Sequence, residues 1–454
     1  MKAGGPTRLV ARTIVAALVG LTPMPADGQG PGRPPALSAT ERRIAAAVDQ
    51  RNAQALALLE RVVNINSGTM NFEGVRQVGD AFRAELDALG FSTKWVDGAG
   101  FRRAGHLVAE RNGQGPRILL IGHLDTVFEP RSPFQKFERL TDSTARGPGV
   151  IDMKGGDVII VEALRALKTA GVLDKLSITV VMHGDEEDAG APLDTARATL
   201  TEAAKRSQIA LGFEDGSGDP HTAVISRRSA GSWTLRTIGT PGHSSQIFRD
   251  DIGAGALYEA ARILEGFRTR LGGQQYLTIN PGVVLGGSEV KYDTAQSGGT
   301  AFGKTNVIAG QAIVSGDIRA LSPEQLERAI ATMKEVVAQH LPKTTAELTF
   351  DDGYPPMAPT DANRKLLAVH DSVSRALGFG SVVAVDPSRA GAADVSFAAP
   401  YVPMVIDALG LAGWDDHSDK ETANLNWLPR LTKRAAVLIY RLGSRESTLP
   451  RSGS

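Results

Sequence analysis

Two neighbouring glutamates, Glu186 and Glu187 in MHGDEEDAG, close a short apolar run. Neighbours on an extended chain point to opposite sides, so one carboxylate can hold a metal while the other moves a proton. Upstream lie His123 in ILLIGHLDTVF and Asp152 in ARGPGVIDMKGG; downstream lie Glu214 in LGFEDG and His417 in WDDHSD. Imidazoles and carboxylates suit borderline divalent cations, and a pair of such cations can turn water into a nucleophile. The chemistry to expect is metal-dependent hydrolysis.

Each residue also has a plainer role to set against this one. Asp125, two positions past His123, shares its face on an extended strand and can orient the imidazole through its second nitrogen. Asp152 sits among Gly147, Gly149, Gly155 and Gly156, which let the backbone approach a buried site. There it can bridge two cations, or merely cap a helix. Asp215 rivals Glu214 as an oxygen ligand, and Asp415, Asp416 and Asp419 crowd His417. Spacing alone leaves those choices open, as it leaves open which of Glu186 and Glu187 is the base.

These side chains need a scaffold that gathers them. Residues 118–123 and 177–187 are apolar runs ending in polar residues, and the stretch after Asp152 reads as a helix stopped by Gly171. Alternation of this kind predicts an α/β fold with a largely parallel sheet, whose ligands sit beyond the carboxyl ends of the strands. From 38 a helical pattern runs to about 63. Near 224 the pattern changes to strands interleaved with two helices, the second capped by Ser322. A late histidine can rejoin an early site only if this region is an insertion. The expected division is a catalytic domain over 38–223 and 341–442, with a smaller α+β domain inserted at 224–340.

Composition narrows the alternatives. A chain of 454 residues is long enough for two domains. Lys+Arg and Asp+Glu are equal at 50 each, so no basic excess suggests a nucleic-acid partner, and neither a phosphate loop nor a zinc-finger spacing appears. With no cysteine, thiol ligands, thiol nucleophiles and disulfides are excluded. Lys2, Arg8 and Arg12 precede the apolar TIVAALVGL, followed by Pro23, Pro25 and Ala26. Residues 1–26 therefore read as a signal peptide and 27–37 as a linker, with 443–454 a flexible tail. The apolar run is shorter than the ~20 residues that span a bilayer. The expectation is a periplasmic or secreted protein without stable membrane insertion after processing; a cytoplasmic location is the alternative, because Arg12 interrupts the run.

Taken in order, HLDTV, GPGVIDMKGG, DEEDAG, FEDG, GTPGHSS and DDHSDKE resemble the M20 co-catalytic zinc peptidases, and within them the bacterial glutamate carboxypeptidase branch. By that resemblance His123, Asp152 and Glu214 bind one zinc, and Asp152, Glu187 and His417 bind the other. Glu186 becomes the general base and Asp125 the support of His123. The peptide bond after Asp152 is cis in many relatives. The resemblance also makes the inserted domain a lid and the surface of a homodimer. It assigns His243 of GTPGHSS to the oxyanion, often of the neighbouring subunit, and Asn306 and Arg319 to the substrate carboxylate.

The resemblance implies hydrolysis of the amide next to a free C-terminal carboxylate, in a short peptide or an N-acyl amino acid. Two divalent ions per subunit are implied, zinc first, with manganese or cobalt acceptable to the same donors. An N-acyl-amino-acid amidohydrolase, or a dipeptidase or aminopeptidase with the same metal centre, is the alternative; a non-catalytic binding protein is the remote one. One departure bears on selectivity. Glutamate-specific relatives carry arginines shortly after the lid, where this chain has FDDGYPPM, with Asp351, Asp352 and Tyr354. Arg389 in DPSRAGAADVSF is a further candidate cation for the substrate. The long stretch GGSEVKYDTAQSGGTAFGKTN is expected to extend a loop near the substrate or the dimer seam.

Overall fold

The computed structural model describes residues 36–444 except 295, 296 and 352. The expected signal peptide and nearly all of the expected linker and tail lie outside the described residues. Ser38 opens the first helix, Ala39–Asp49, with a reciprocal cap: its hydroxyl accepts from Glu41 N–H at 3.2 Å and its own N–H donates to Glu41 Oε2 at 2.7 Å. A second helix, Asn52–Val63, follows at once, so the helical pattern from 38 to 63 is two helices broken at Arg51.

A six-stranded sheet carries the larger layer. Its order is Ser92–Asp97, Gly105–Arg111, Ser177–His183, Arg117–His123, Ile209–Gly212, Met404–Ile406. The last four run parallel, while the first two are antiparallel to their neighbours. The small layer's sheet is antiparallel throughout. The expected largely parallel sheet is therefore corrected to a mixed one. The physical reason is connection length: Ser92–Asp97 and Gly105–Arg111 are joined by a short link that cannot hold the crossover a parallel pair requires. The parallel strands were visible because their residues are buried on both faces, as throughout Ser177–His183, and so read as continuous apolar runs.

Helix Lys154–Thr169 packs on this sheet and contributes thirteen buried residues. The contact is close enough that a Cβ on Gly122 would lie 2.1 Å from Asp157 Oδ1, which leaves glycine as the residue that fits one position before His123.

The small layer has its own apolar core, centred on the fully buried Trp233. Its four strands run in the order Thr278–Gly287, Gln311–Arg319, Gly231–Gly239, Thr344–Phe350, and helices Gly255–Leu271 and Pro323–Val337 cover it. Ser322 caps the second helix by accepting from Gln325 N–H at 3.2 Å. The last strand lies past residue 340, so the layer runs beyond the boundary expected there. The GGSEVKYDTAQSGGTAFGKTN stretch contains a hairpin, Glu289–Asp293 with Gly298–Phe302. The chain passes between layers on two paired segments, bridged at Arg227–Met357 and Ala230–Tyr354. No helix among the described residues is long and apolar enough to cross a membrane.

Candidate metal centre

Three adjacent parallel strands aim their carboxyl ends at one place. His123 ends one strand, the Glu186–Glu187 turn follows Ser177–His183, and Glu214 follows Ile209–Gly212. Asp152 comes from the turn before helix Lys154–Thr169, after a cis Asp152–Met153 peptide. His417 arrives from near the C-terminal end on a backbone with φ of 57°, a left-handed conformation uncommon outside glycine.

Asp152 stands between the two imidazoles. Its Oδ1 lies 3.1 Å from His123 Nε2 and its Oδ2 lies 2.8 Å from His417 Nε2. Glu214 Oε1 is 3.6 Å from the same nitrogen of His123, and Glu187 Oε2 is 3.2 Å from that of His417. Two candidate metal-binding clusters thus share Asp152: His123, Asp152 and Glu214 in one, Asp152, Asp416 and His417 in the other. Glu187 reaches the second through His417, so Asp416 and Glu187 both stand near that position. No ion pair of Glu186 reaches either imidazole among the described residues.

The electrostatics of the cluster favour positive charge at its centre. Burial raises Glu187 and Glu214, each reinforced by Asp152, and both reach about 7. Burial and then Glu214 push Glu186 well above the usual carboxylate range. Asp152 also pays for burial, but its hydrogen bonds to His123 and His417 hold it below that range. Hydrogen bonds to Asp152 and Glu187 lift His417 to about 11. His123 is raised as well: burial opposes its charge, and Glu214, Asp125 and Asp152 outweigh burial. A nest of buried carboxylates sharing imidazolium protons suits divalent cations, which would take over that charge and leave both rings neutral as ligands. The donor set, all nitrogen and carboxylate oxygen, fits a dinuclear centre of the zinc type.

The surroundings fix the donors. His123 Nδ1 lies 3.1 Å from Asp125 O and 3.4 Å from Asp125 Oδ1. The fully buried Asp125 carboxylate also accepts the N–H groups of Glu186 at 3.0 Å and Glu187 at 3.1 Å, and the Thr69 hydroxyl at 2.6 Å. One residue therefore meets the ring, chiefly through its backbone carbonyl, and holds the glutamate turn with its carboxylate.

Glu421 was not singled out from sequence. It lies four residues past His417, and its buried carboxylate accepts the N–H groups of Gly149, Ile151 and Asp152 at 2.9, 2.8 and 3.1 Å. Gly149 takes a φ of 74° there, and Glu421 ties the Asp152 turn to the His417 segment. Burial lifts its pKa to about 8 despite these donors. Glu421→Ala would leave three buried donors unpaired, at about 1–3 kcal/mol each. Thermal unfolding and metal content should both fall in Glu421→Ala, and fall less in Glu421→Gln, which keeps one carbonyl acceptor. An unchanged melting temperature with full metal in Glu421→Ala would remove Glu421 from this role.

The remaining sequence candidates lie apart from the cluster. His243 is exposed in the small layer, its Nδ1 2.8 Å from Ser245 Oγ, and Asn306 is beside it, its carbonyl accepting Ser244 N–H at 2.9 Å. Arg319, on the same layer, pairs with Asp317 at 3.0 Å. Both line a cavity of about 460 Å³ with Gly190, Ser232 and Tyr354, so the space adjoins the turn that follows Glu187. Arg389 ends a short Pro387–Arg389 turn with its side chain exposed, and does not line that cavity.

This architecture recurs in solved structures. Aminopeptidase PepT from Bacillus cereus ATCC 10987 superposes with a TM-score of 0.69 at 16% identity, covering 87% of this chain and 99% of that one. A dinuclear metal-binding M20 peptidase, YXEP of Bacillus subtilis, gives 0.58 at 14%, covering 87% and 99%. In sequence the chain is 29% identical over 406 residues to carboxypeptidase G2 of Pseudomonas sp. (strain RS-16), covering 88% of this chain and 91% of that protein. It is 28% identical over 275 residues to mouse aminoacylase-1, covering 58% and 64%. Residues 119–441 match the model of peptidase family M20/M25/M40, a span that opens just before His123 and closes beyond His417. Such a match over most of the chain, together with the paired carboxylate–imidazole clusters, makes this protein a metallopeptidase or amidohydrolase of peptidase family M20/M25/M40, to which the chain belongs.

Proposed function

We propose that the protein hydrolyses an amide bond in a small substrate, an N-acyl amino acid or a dipeptide, at a dinuclear centre. The observation that carries the reading is Asp152, whose two oxygens face His123 and His417 separately. In this reading His123, Asp152 and Glu214 hold one ion, and Asp152, Glu187 and His417 hold the other. Divalent cations, zinc first, supply Lewis acidity that makes water nucleophilic at neutral pH. Glu186 takes the proton from the attacking water and returns it to the leaving amine. Asp125 keeps His123 in place. His243 and Asn306 belong to the small layer, so His243 would donate to the oxyanion either in its own chain or across a homodimer formed by that layer. Export to the periplasm, or secretion, accompanies this reading.

A carboxypeptidase is the second reading, favoured by Arg319 at the cavity beside the glutamate turn. A guanidinium can hold a terminal carboxylate through paired contacts, although here it must share its charge with Asp317. Relatives of both kinds exist among the similar proteins: their names include an aminoacylase, an aminopeptidase and a carboxypeptidase. The zinc-loaded protein should be assayed with N-acetylleucine, N-acetylglutamate, Ala-Leu and Leu-Glu, and with the C-terminal amides of each. Cleavage of at least one member is expected, and none cleaved after zinc, manganese or cobalt loading would remove the hydrolase reading. If Arg319 anchors the carboxylate, amidation lowers kcat/KM sharply in the wild type and much less in Arg319→Ala. Equal use of free and amidated forms by the wild type would exclude the carboxypeptidase. A steep preference for terminal glutamate would mean that the acidic FDDGYPPM segment does not set selectivity.

A further inference from the structure

Tyr354 belongs to the FDDGYPPM segment, and the proposed reaction gives its hydroxyl no task. We propose that Tyr354, held by Arg197, is a positioning residue that seats the backbone of Glu186 and so aims the general base. The proposal rests on Glu186 as the proton carrier.

The peptide at Glu186 is gripped from both ends. Its N–H donates to Asp125 Oδ1 at 3.0 Å, and its carbonyl accepts the Tyr354 hydroxyl at 2.9 Å. A carboxylate at the end of a side chain goes where its backbone puts it, and a misplacement of about 1 Å can cost about 10²-fold in rate. The Glu186 carbonyl shares its peptide plane with Glu187 N–H, which Asp125 Oδ2 accepts at 3.1 Å, so Asp125 and Tyr354 hold that plane from opposite edges.

Tyr354 is itself fixed. Its hydroxyl accepts Arg197 Nη2 at 2.8 Å, and its ring meets Phe397 edge-on at 5.0 Å between centroids. Arg197 is 1% exposed and spends its other donors on the same turn: Nη1 on Asp185 Oδ1 at 2.8 Å and Nη2 on Asp185 O at 3.0 Å. Its Nε lies 2.7 Å from Asp394 Oδ1, and Asp394 in turn contacts His183. One guanidinium therefore ties the residue before Glu186 to the hydroxyl that holds Glu186. Removing the charge would strand buried carboxylates, whereas removing the tyrosine hydroxyl deletes its bonds to the Glu186 carbonyl and Arg197 and leaves Arg197 on Asp185.

The origin of Tyr354 gives this link a direction. Its N–H donates to Ala230 O at 2.8 Å and its carbonyl accepts Ala230 N–H at 3.0 Å, so it sits on the paired segments by which the chain enters and leaves the small layer. Three positions earlier, Asp351 N–H donates to Ser232 O at 3.1 Å. The hydroxyl thus connects the crossing point of the two layers to the carbonyl of the base.

Tyr354→Phe keeps the ring and deletes only the hydroxyl, and the full-length, metal-loaded protein is assayed on the best substrate of the panel above. The expected result is a kcat lowered about three- to tenfold, the scale of one net hydrogen bond, with KM within about twofold and both metal equivalents retained. In a Glu186→Gln background, where no carboxylate remains to be aimed, Tyr354→Phe should change the residual rate by less than about twofold. Multiplying effects in the double variant would show that Tyr354 acts elsewhere and would overturn the proposal. So would an unchanged kcat, a rise confined to KM, or loss of metal from Tyr354→Phe. The two readings separate cleanly: a Glu186→Gln protein with wild-type kcat removes the base itself, while a crippled Glu186→Gln beside an unaffected Tyr354→Phe removes only the positioning.

Discussion

Glu186→Gln is expected to lower kcat by about 10²–10⁴-fold, the usual contribution of a general base, while both metal equivalents stay bound. The prediction follows from how the two adjacent glutamates divide. Glu187 lies 3.2 Å from His417, inside the ligand cluster, whereas Glu186 has no such contact and its backbone is held by Asp125 and Tyr354. Burial and the neighbouring Glu214 raise Glu186 well above the usual carboxylate range. The amide of glutamine keeps the shape and removes the basicity. Metal content by elemental analysis is read beside kcat. A fall smaller than about tenfold would end the role of Glu186 as base. Loss of metal would exchange its assignment with that of Glu187.

Asp152→Ala should be the most damaging change to metal loading. Asp152 is the residue whose oxygens face both imidazoles, at 3.1 and 2.8 Å, and its removal would leave two cations repelling each other across an apolar methyl. Outer-shell partners alone typically contribute about 10–100-fold in metal affinity, so a bridging ligand should cost at least about 100-fold. Glu214→Ala, by contrast, removes one end of one cluster and should leave the other ion in place. Both variants would be stripped with a chelator, reloaded with zinc, and measured for stoichiometry and hydrolysis. Two full equivalents in Asp152→Ala would rule out the bridge, and equal losses in the two variants would remove the distinction between shared and terminal donor.

What could be read from the chain follows from local chemistry. His123 was conspicuous because a polar residue ends a buried run, and the adjacency of Glu186 and Glu187 marked a division of labour. Asp152 stood out among glycines, and Ser322 announced its helix by type and place. The antiparallel edge was missed because Ser92–Asp97 is only partly buried and shows no continuous apolar run. Glu421 was missed for another reason: its partners Gly149, Ile151 and Asp152 lie about 270 residues away, and no local periodicity reports a carboxylate that accepts backbone donors at that range. Arg197 and Tyr354 are hidden likewise, 157 residues apart in sequence and 2.8 Å apart in space. Asp415, Asp416 and Asp419 crowd His417 in the sequence; in the structure Asp416 joins Asp152 and His417 in one cluster, and Glu187 lies 3.2 Å from the His417 ring.

The paired crossing at Ala230 and Tyr354 also bears on how this chain can change over evolutionary time. Because exit and re-entry are hydrogen-bonded neighbours, the ends of the intervening segment stay together whatever its length. Lengthening or trimming a segment with adjoining ends imposes little additional closure cost on what it interrupts. A hairpin such as Glu289–Asp293 with Gly298–Phe302 can therefore lengthen or shorten without disturbing the register of the strands that lead to His123 and Glu214. Length can change at the far end of the small layer while the crossing at Ala230 and Tyr354, and the strands of the larger layer, keep their places.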